Sequence, residues 1–254
     1  MDKFGVITSR SIRRVSLVVM LIDDFTGKVI TGSNARVWIE NEKPPIKKSE
    51  GWNVFLNLSE GEYILNAEGG FYSRSTVACK IVDEKSDIVT IRLLPNSLYP
   101  IPSDCLRIEG NGEPESKVVI YSDDKSAAFK LLSDIKKGTQ TIGIYHPDAV
   151  NIEGKMLNII SSDGKSEFIR VGSKSENEKF EYKILDKIKN DFSKVGTILV
   201  TATETIVDED GKFFIFLRSS SQENTEIVCE LLGKKTKKKV IKTGGEKYIK
   251  IDMK

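Results

Sequence analysis

The chain has 254 residues, and its apolar (39%) and charged (30%) shares are those of a globular protein with material for real cores, two domains fitting the length better than one. Its 39 basic and 37 acidic side chains leave a formal charge of +2, which excludes a global field for nucleic acid or a membrane surface. Three cysteines, Cys79, Cys105 and Cys229, lack C-x-x-C spacing, and an odd number cannot pair off internally. Free thiols in a reducing compartment are expected, with an intermolecular disulfide only if the protein is exported.

Residues 1–12 are polar and weakly patterned and are expected to form a loose arm. Arg13-Arg14 and the apolar run Val15 to Ile22 have the outline of a signal peptide. The run meets Asp23-Asp24 without a small-residue cleavage pattern, however, and is far short of the ~20 residues that span a bilayer as a helix. It reads as a buried strand, with no targeting segment or membrane span, so the expected location is cytoplasmic.

Arg36 to Glu40 alternates, with Val37 and Ile39 on one face and Trp38 on the other. Asn53 to Leu58 alternates again, Ser59 to Glu62 turns the chain into Tyr63-Ile64-Leu65, and Thr76 to Val82 and Ile88 to Leu94 supply two more strands. Six or so strands in about 80 residues predict a β-sandwich over 13–94. Pro95, Pro100 and Pro102 then remove ladder donors, so 95–103 reads as a stiff linker.

The remainder, 104–254, is again strand-like. Leu106 to Glu109 and Lys117 to Tyr121 bracket Gly110-Asn111-Gly112. Asp163-Gly164 predicts a hairpin between Lys155–Ile160 and Glu167–Val171, and Asp208-Glu209-Asp210-Gly211 predicts another between Thr197–Val207 and Lys212–Arg218. Thr225 to Leu232, Lys239 to Thr243 and Tyr248 to Met253 are expected to finish the same sheet. Lys125 to Lys136 and Tyr182 to Phe192 are ambiguous between helix and strand. Gly51-Trp52-Asn53-Val54-Phe55 and Asp210-Gly211-Lys212-Phe213-Phe214 give the halves a shared local plan, which makes about 127–195 an insertion in the second domain. The predicted class is therefore all-β, two sandwich (prealbumin- or Ig-like) domains joined by the Pro-rich linker.

Asp23, Thr26, Gly27, Val29, Ala35-Arg36-Val37, Gly51, Val54-Phe55, Leu58, Gly61, Tyr63 and Leu65 follow a pattern that resembles the transthyretin-like, carboxypeptidase-regulatory-like sandwich family. Val207 to Phe213 is similar to a turn of the same family, with Val207 in place of its Thr. The resemblance implies a fold and no activity. The order of a regulatory-like sandwich, then Leu94-Pro95-Asn96-Ser97-Leu98-Tyr99-Pro100-Ile101-Pro102, then a larger β-domain is similar to accessory proteins of phage tails and contractile injection particles. Ile152 to Lys155, Glu167 to Ile169 and Gly196-Thr197 add to that likeness, which implies a part in a multisubunit particle.

Chemistry is weakly signalled. His146, the sole histidine, sits in the turn-like Tyr145-His146-Pro147-Asp148 without a nucleophile motif. A histidine-rich zinc site is excluded by that count. The Asp208 cluster lacks the spacing of an EF-hand, so a turn is favoured over calcium. No pair of carboxylates stands out for glycoside cleavage, and no phosphate loop is present. Lys234-Lys235 and Lys237-Lys238-Lys239 read as a solvated strand edge. The sequence thus points to a non-enzymatic structural subunit of a phage-tail-like or contractile particle, with no catalytic residue, cofactor or metal. Its partners would be other protein subunits, copies of itself included, contacted through Phe4, Val6, Ile7, Tyr99 and Ile101. The alternative is a carbohydrate-binding or surface adhesion module using Trp38, Trp52, Phe71 and Tyr72 as a sugar platform.

Overall fold

The computed structural model describes residues 13–82, 87–100, 102, 105–122, 128–147, 150–176, 178–218, 225–233, 236–244 and 246–253. All regular structure among them is β, and the chain divides into two compact units, 1–100 and 101–254.

In the first unit β1 (Val15–Asp23), β3 (Ile46–Lys47), β4 (Trp52–Leu56) and β7 (Asp87–Leu93) form a sheet of order β3-β4-β1-β7. A second sheet, β2-β5-β6, joins β2 (Ala35–Ile39), β5 (Gly61–Gly69) and β6 (Tyr72–Ile81). Alternation explains the sandwich-like arrangement. Leu17, Val19, Leu21, Phe55 and Ile91 of one sheet, and Val37, Ile39, Leu65 and Ala67 of the other, are all buried. β1 runs antiparallel to β4 and parallel to β7, paired from Leu17↔Asp87 to Asp23↔Leu93. Gly51, at φ +90°, turns the chain into β4, a conformation a side chain would strain.

Of the stretch 95–103, expected as a stiff linker, 95–100 packs onto this unit. Ser73 N donates to Leu94 O (2.9 Å), Asn96 N donates to Phe71 O (3.0 Å), Pro95 bridges to Tyr72, and Tyr99 is buried. Prolines without donors did not prevent docking, because neighbouring amides and the Tyr99 side chain supplied the contacts.

The second unit contains β8 (Cys105–Asn111), β9 (Lys117–Ser122), β10 (Phe129–Leu131), β11 (Thr141–Tyr145), β12 (Met156–Ile160), β13 (Ser166–Lys174), β14 (Glu181–Ile184) and β15 (Ile198–Ile206). It continues with β16 (Lys212–Arg218), β17 (Thr225–Leu232), β18 (Lys237–Thr243) and β19 (Tyr248–Asp252). One ladder runs β10-β11-β14-β13-β12-β15-β9-β17-β18, and β10 also pairs β15. That extra pairing closes six antiparallel strands into a barrel. Its interior holds Phe129, Ile144, Leu157, Ile159, Ile169, Val171, Tyr182 and Leu199. β15 then leaves the barrel wall and pairs β9 from Ala202↔Tyr121 to Ile206↔Lys117. Its second half faces a separate core shared with the sheet β16-β8-β19, built on Ile108, Val118, Ile120, Phe213, Ile215, Cys229 and Ile251.

Asp163-Gly164 closes the β12–β13 hairpin as expected. The second expected hairpin is absent: β15 pairs β12, β10 and β9 while β16 pairs β8, so the Asp208–Gly211 turn carries the chain between two sheets. A tight turn constrains its own four residues, and here the apolar faces decide the pairing. Likewise β19 leaves the sheet of β17 and β18 and lies parallel to β8. Of the two ambiguous stretches, 182–192 begins in β14 and continues as irregular chain, with Ile188 and Phe192 buried in the barrel. Reciprocal amide bonds join Phe192 to Ile135 (2.8 and 2.9 Å). A helical spacing arose there from a loop dropping two side chains inward. In the other, Phe129–Leu131 is strand and 123–127 lies outside the described residues.

Candidate functional site

Of the residues read from the sequence as partner contacts, Phe4, Val6, Ile7 and Ile101 lie outside the described residues. Tyr99 is only 9% exposed. Its hydroxyl donates to Asp23 Oδ2 at 2.5 Å, beside that of Tyr72 at 3.2 Å. Asp23 Oδ1 accepts from Phe25 N (2.9 Å) and Thr26 N (3.1 Å), and the Tyr99 ring meets Phe25 and Tyr72 edge-on. Burial, then the Asp23 charge and hydrogen bond, push the Tyr72 hydroxyl up to about 12. Tyr99 therefore locks the first unit and is not an exposed contact.

His146 is buried against Phe129 and Phe180, where Nε2 lies 2.6 Å from Tyr182 Oη and Nδ1 2.9 Å from Pro147 O. Pro147 O can only accept, so Nδ1 carries the proton and Nε2 accepts from Tyr182. Both ring nitrogens are used in packing. In the Asp208 turn, Asp208 Oδ1 accepts from Lys212 N (2.7 Å) and Gly211 N donates to Asp208 O (3.0 Å), with Gly211 at φ +75°. The lysines of β18 lie on the edge strand of the nine-stranded ladder, with Lys238 3.5 Å from Glu230 and Lys242 3.4 Å from Glu226.

Among the four aromatics considered as a platform, Tyr72 is buried, Trp52 is half-buried opposite Met20, and Phe71 is exposed beside the β5–β6 turn. Trp38 stands apart. It lies on the outer face of β2-β5-β6, opposite Asn66, with Arg36 opposite Glu68. The Arg36 and Arg74 guanidinium carbons lie 4.9 and 5.4 Å from the indole centroid, a double cation–π arrangement. Trp38 Nε1 donates to Glu40 Oε1 at 2.8 Å. Arg36 donates Nε and Nη2 to Glu68 Oε1, and Arg74 Nη2 donates to Asn66 Oδ1 at 2.9 Å.

Arg74 shares the outer face of β6 with Thr76, two residues on, and a bulge lies just before Ser75. Ala67 pairs Ser75 and Gly69 pairs Tyr72, so β6 carries one residue more than β5 between those points. Bulges re-aim side chains, and this one turns Tyr72 inward, while Arg74 keeps the outer face of Thr76 and lies over Asn66. A groove of about 400 Å³ opens beside the cluster, bordered by Asn34, Arg36, Glu68, Gly69 and Arg74. A Cβ on Gly69 would lie 2.4 Å from Asn34 O, so only glycine allows β2 to begin this close to β5. The outward placement of Trp38 and Arg36 follows from alternation in the sequence. Arg74, Asn66 and Glu68 carried no such signal, because the registers of β2 and β6 on β5 bring them beside Trp38.

The second unit holds a different charged cluster. Glu204 lies 2.5 Å from Arg170 Nη2 and 2.6 Å from Lys117 Nζ, and Arg170 Nη1 also donates to Gly154 O at 2.9 Å. Burial works against the Glu204 carboxylate, but Lys117 and Arg170 more than offset it and hold the group below its usual range. Nearby, Tyr121 Oη donates to Glu230 Oε1 at 2.7 Å and accepts from Lys238 Nζ at 3.2 Å.

No protein-family model and no curated protein matches the chain. Among solved structures it is similar to the TIE protein of Bacillus anthracis, at 11% identity and TM-score 0.27, over 94% of this chain and 50% of that one. A streptococcal ancillary pilin gives 9% identity and TM-score 0.28 over 96% of this chain and 62% of the pilin. A DUF3823 family protein from Bacteroides ovatus gives 12% identity and TM-score 0.26 over 92% and 100% of the respective chains. Superpositions this loose do not define a common fold.

Proposed function

We propose that the protein is a non-catalytic β-module that works by binding other proteins, as an accessory subunit of a multisubunit particle. The observation supporting this is the cluster of Trp38, Arg36 and Arg74 on an outward sheet face. Trp and Arg are the residue types that carry most interface energy, and here a buried amide holds Arg74 and a paired carboxylate holds Arg36 against Trp38. The finer assignment, to a phage-tail-like or contractile injection particle assembled in the cytoplasm, rests on the sequence resemblance alone. In this reading the two units are separately folding domains, the Pro-rich 95–103 leading into a second domain of 104–254, and about 127–195 is an insertion between β9 and β15.

The carbohydrate-binding reading is weaker at this site. Sugar platforms need a free indole face, whereas two guanidinium groups already lie against Trp38 and its N–H is spent on Glu40. Sedimentation of extract from the native cell is the test. Migration in a particle-sized fraction together with other subunits supports the proposal. Migration as a free monomer that binds neutral oligosaccharides overturns it in favour of the sugar module.

A further inference from the structure

We infer that the groove beside Trp38 is the seat for an acidic segment of a partner protein. A Glu or Asp carboxylate of that segment lies against Arg74 and Arg36, and an adjacent apolar side chain lies against Trp38 and Ile64. This rests on the protein-partner reading above and names the chemistry of the partner.

Charge is the first reason. Arg36 is paired with Glu68, while Arg74 has only the neutral Asn66 amide as hydrogen-bond partner among the described residues. The groove thus holds two guanidinium groups against one carboxylate. Arg74 keeps its Nε–H and Nη1–H donors, a planar set that suits a carboxylate better than a point charge would.

Preorganisation is the second. Asn66 is 4% exposed, and its Oδ1 accepts from both Arg74 Nη2 and Thr76 Oγ1. Trp38 lies under the Arg74 guanidinium at 5.4 Å, so little side-chain freedom remains to be lost on binding. The apolar neighbour has its place as well, because Ile64 is 57% exposed on the same outer face.

The rest of the face limits what can bind. Glu40, Glu62 and Glu68 share it with the arginines, and Lys80 lies opposite Glu62, so the surplus of positive charge is local to the groove and a polyanion such as nucleic acid would meet carboxylates along its length. A short segment with one or two carboxylates between apolar residues avoids that.

The test uses the full chain and a fluorescein-labelled peptide, Gly-Ser-Leu-Glu-Leu-Glu-Ser, with its Gln-for-Glu analogue as control, read by anisotropy. The Glu peptide should bind at least about tenfold more tightly than the Gln analogue, and salt should weaken it. Arg74→Ala should cost about tenfold, and Arg74→Lys should recover only part of the loss because it lacks the planar fork. Equal binding of the two peptides, or no loss in the Arg36→Ala/Arg74→Ala double variant, would overturn the inference. So would tighter binding of an oligoglucuronate than of the Glu peptide. In the native cell, an Arg36→Glu/Arg74→Glu protein that still enters the particle removes the groove from assembly and leaves the proposed function standing. A wild-type protein found only as a monomer removes the proposed function itself.

Discussion

Replacing Tyr99 with Phe removes one hydroxyl from a site that holds three side chains around Asp23. The bond lost is 2.5 Å long, to a carboxylate that is 6% exposed. Hydrogen bonds to charged groups contribute about 1.5–3 kcal/mol, and the Tyr72 hydroxyl at 3.2 Å remains to hold the same oxygen, so a loss near about 1.5 kcal/mol is expected. Tyr99→Ala also removes the ring and its edge contacts with Phe25 and Tyr72, and should cost about 3–5 kcal/mol. Both tryptophans, Trp38 and Trp52, belong to the first unit, so tryptophan fluorescence during urea unfolding reports that unit alone. The expected loss for Tyr99→Phe corresponds to a fall in Tm of roughly 6–12 °C for a unit of this size. The Tyr72 hydroxyl adds a pH signature. Its folded value of about 12 lies above the ordinary tyrosine value of 10.0, so the folded state keeps its proton longer. Stability from this group is complete below pH 10 and falls by up to about 1.4 kcal/mol per unit between about 10 and 12. Should Tyr99→Ala shift the urea midpoint by less than about 1 kcal/mol equivalent, Tyr99 is a linker residue and the packing argument is wrong.

Glu204→Gln should destabilise the second unit by about 3 kcal/mol, read by circular dichroism, because it removes the charged partner that Arg170 and Lys117 share. Since the Glu204 carboxyl is held below its ordinary value, its contribution is present above the unfolded value and lost as acid protonates it, and that acid sensitivity should be reduced in the Gln variant. Burial pushes the Cys229 thiol up to about 12, so at pH 8 the native protein should leave it unreactive to a disulfide reagent until denatured. Gly110→Ala should unfold the second unit or cost more than about 3 kcal/mol, since its Cβ would lie 2.3 Å from the Phe213 ring and 2.7 Å from Ile251 O; a soluble variant with wild-type Tm refutes the packing described here. Calcium should not raise Tm and EDTA should not lower it, because the Asp208 carboxylate is engaged by the Lys212 amide of its own turn.

Most strands were legible because alternation and turn residues are local signals. Val15–Asp23 is longer than a half-exposed strand needs and almost wholly apolar, and it lies between two partners, as such runs should. Pairing was less legible, because it depends on which apolar faces meet across long separations. The Asp208–Gly211 turn has the sequence of a hairpin and yet switches sheets, since β15 satisfies its edges with β12, β10 and β9. The barrel could not be read at all: its closure depends on just two register pairs, Phe129↔Leu199 and Lys130↔Ile198. The candidate site was half legible: alternation sets Trp38 and Arg36, and it also sets Arg74, but the strand was read only from Thr76 and so left Arg74 outside it.

Among the described residues the first strand of the first unit is β1 and its last is β7, and these two lie side by side in parallel over seven register pairs. A tensile load applied at residue 15 and residue 93 would pull the two strands past each other along their length. In that geometry the evenly spaced slanted bonds of a parallel pair share the force and must yield together. An antiparallel pair loaded from one end opens bond by bond at far lower force. The first unit is therefore strung as a shear clamp, and a chain held at both ends within an assembly would load the β1–β7 pair, like the parallel β8–β19 pair of the second unit, along its length.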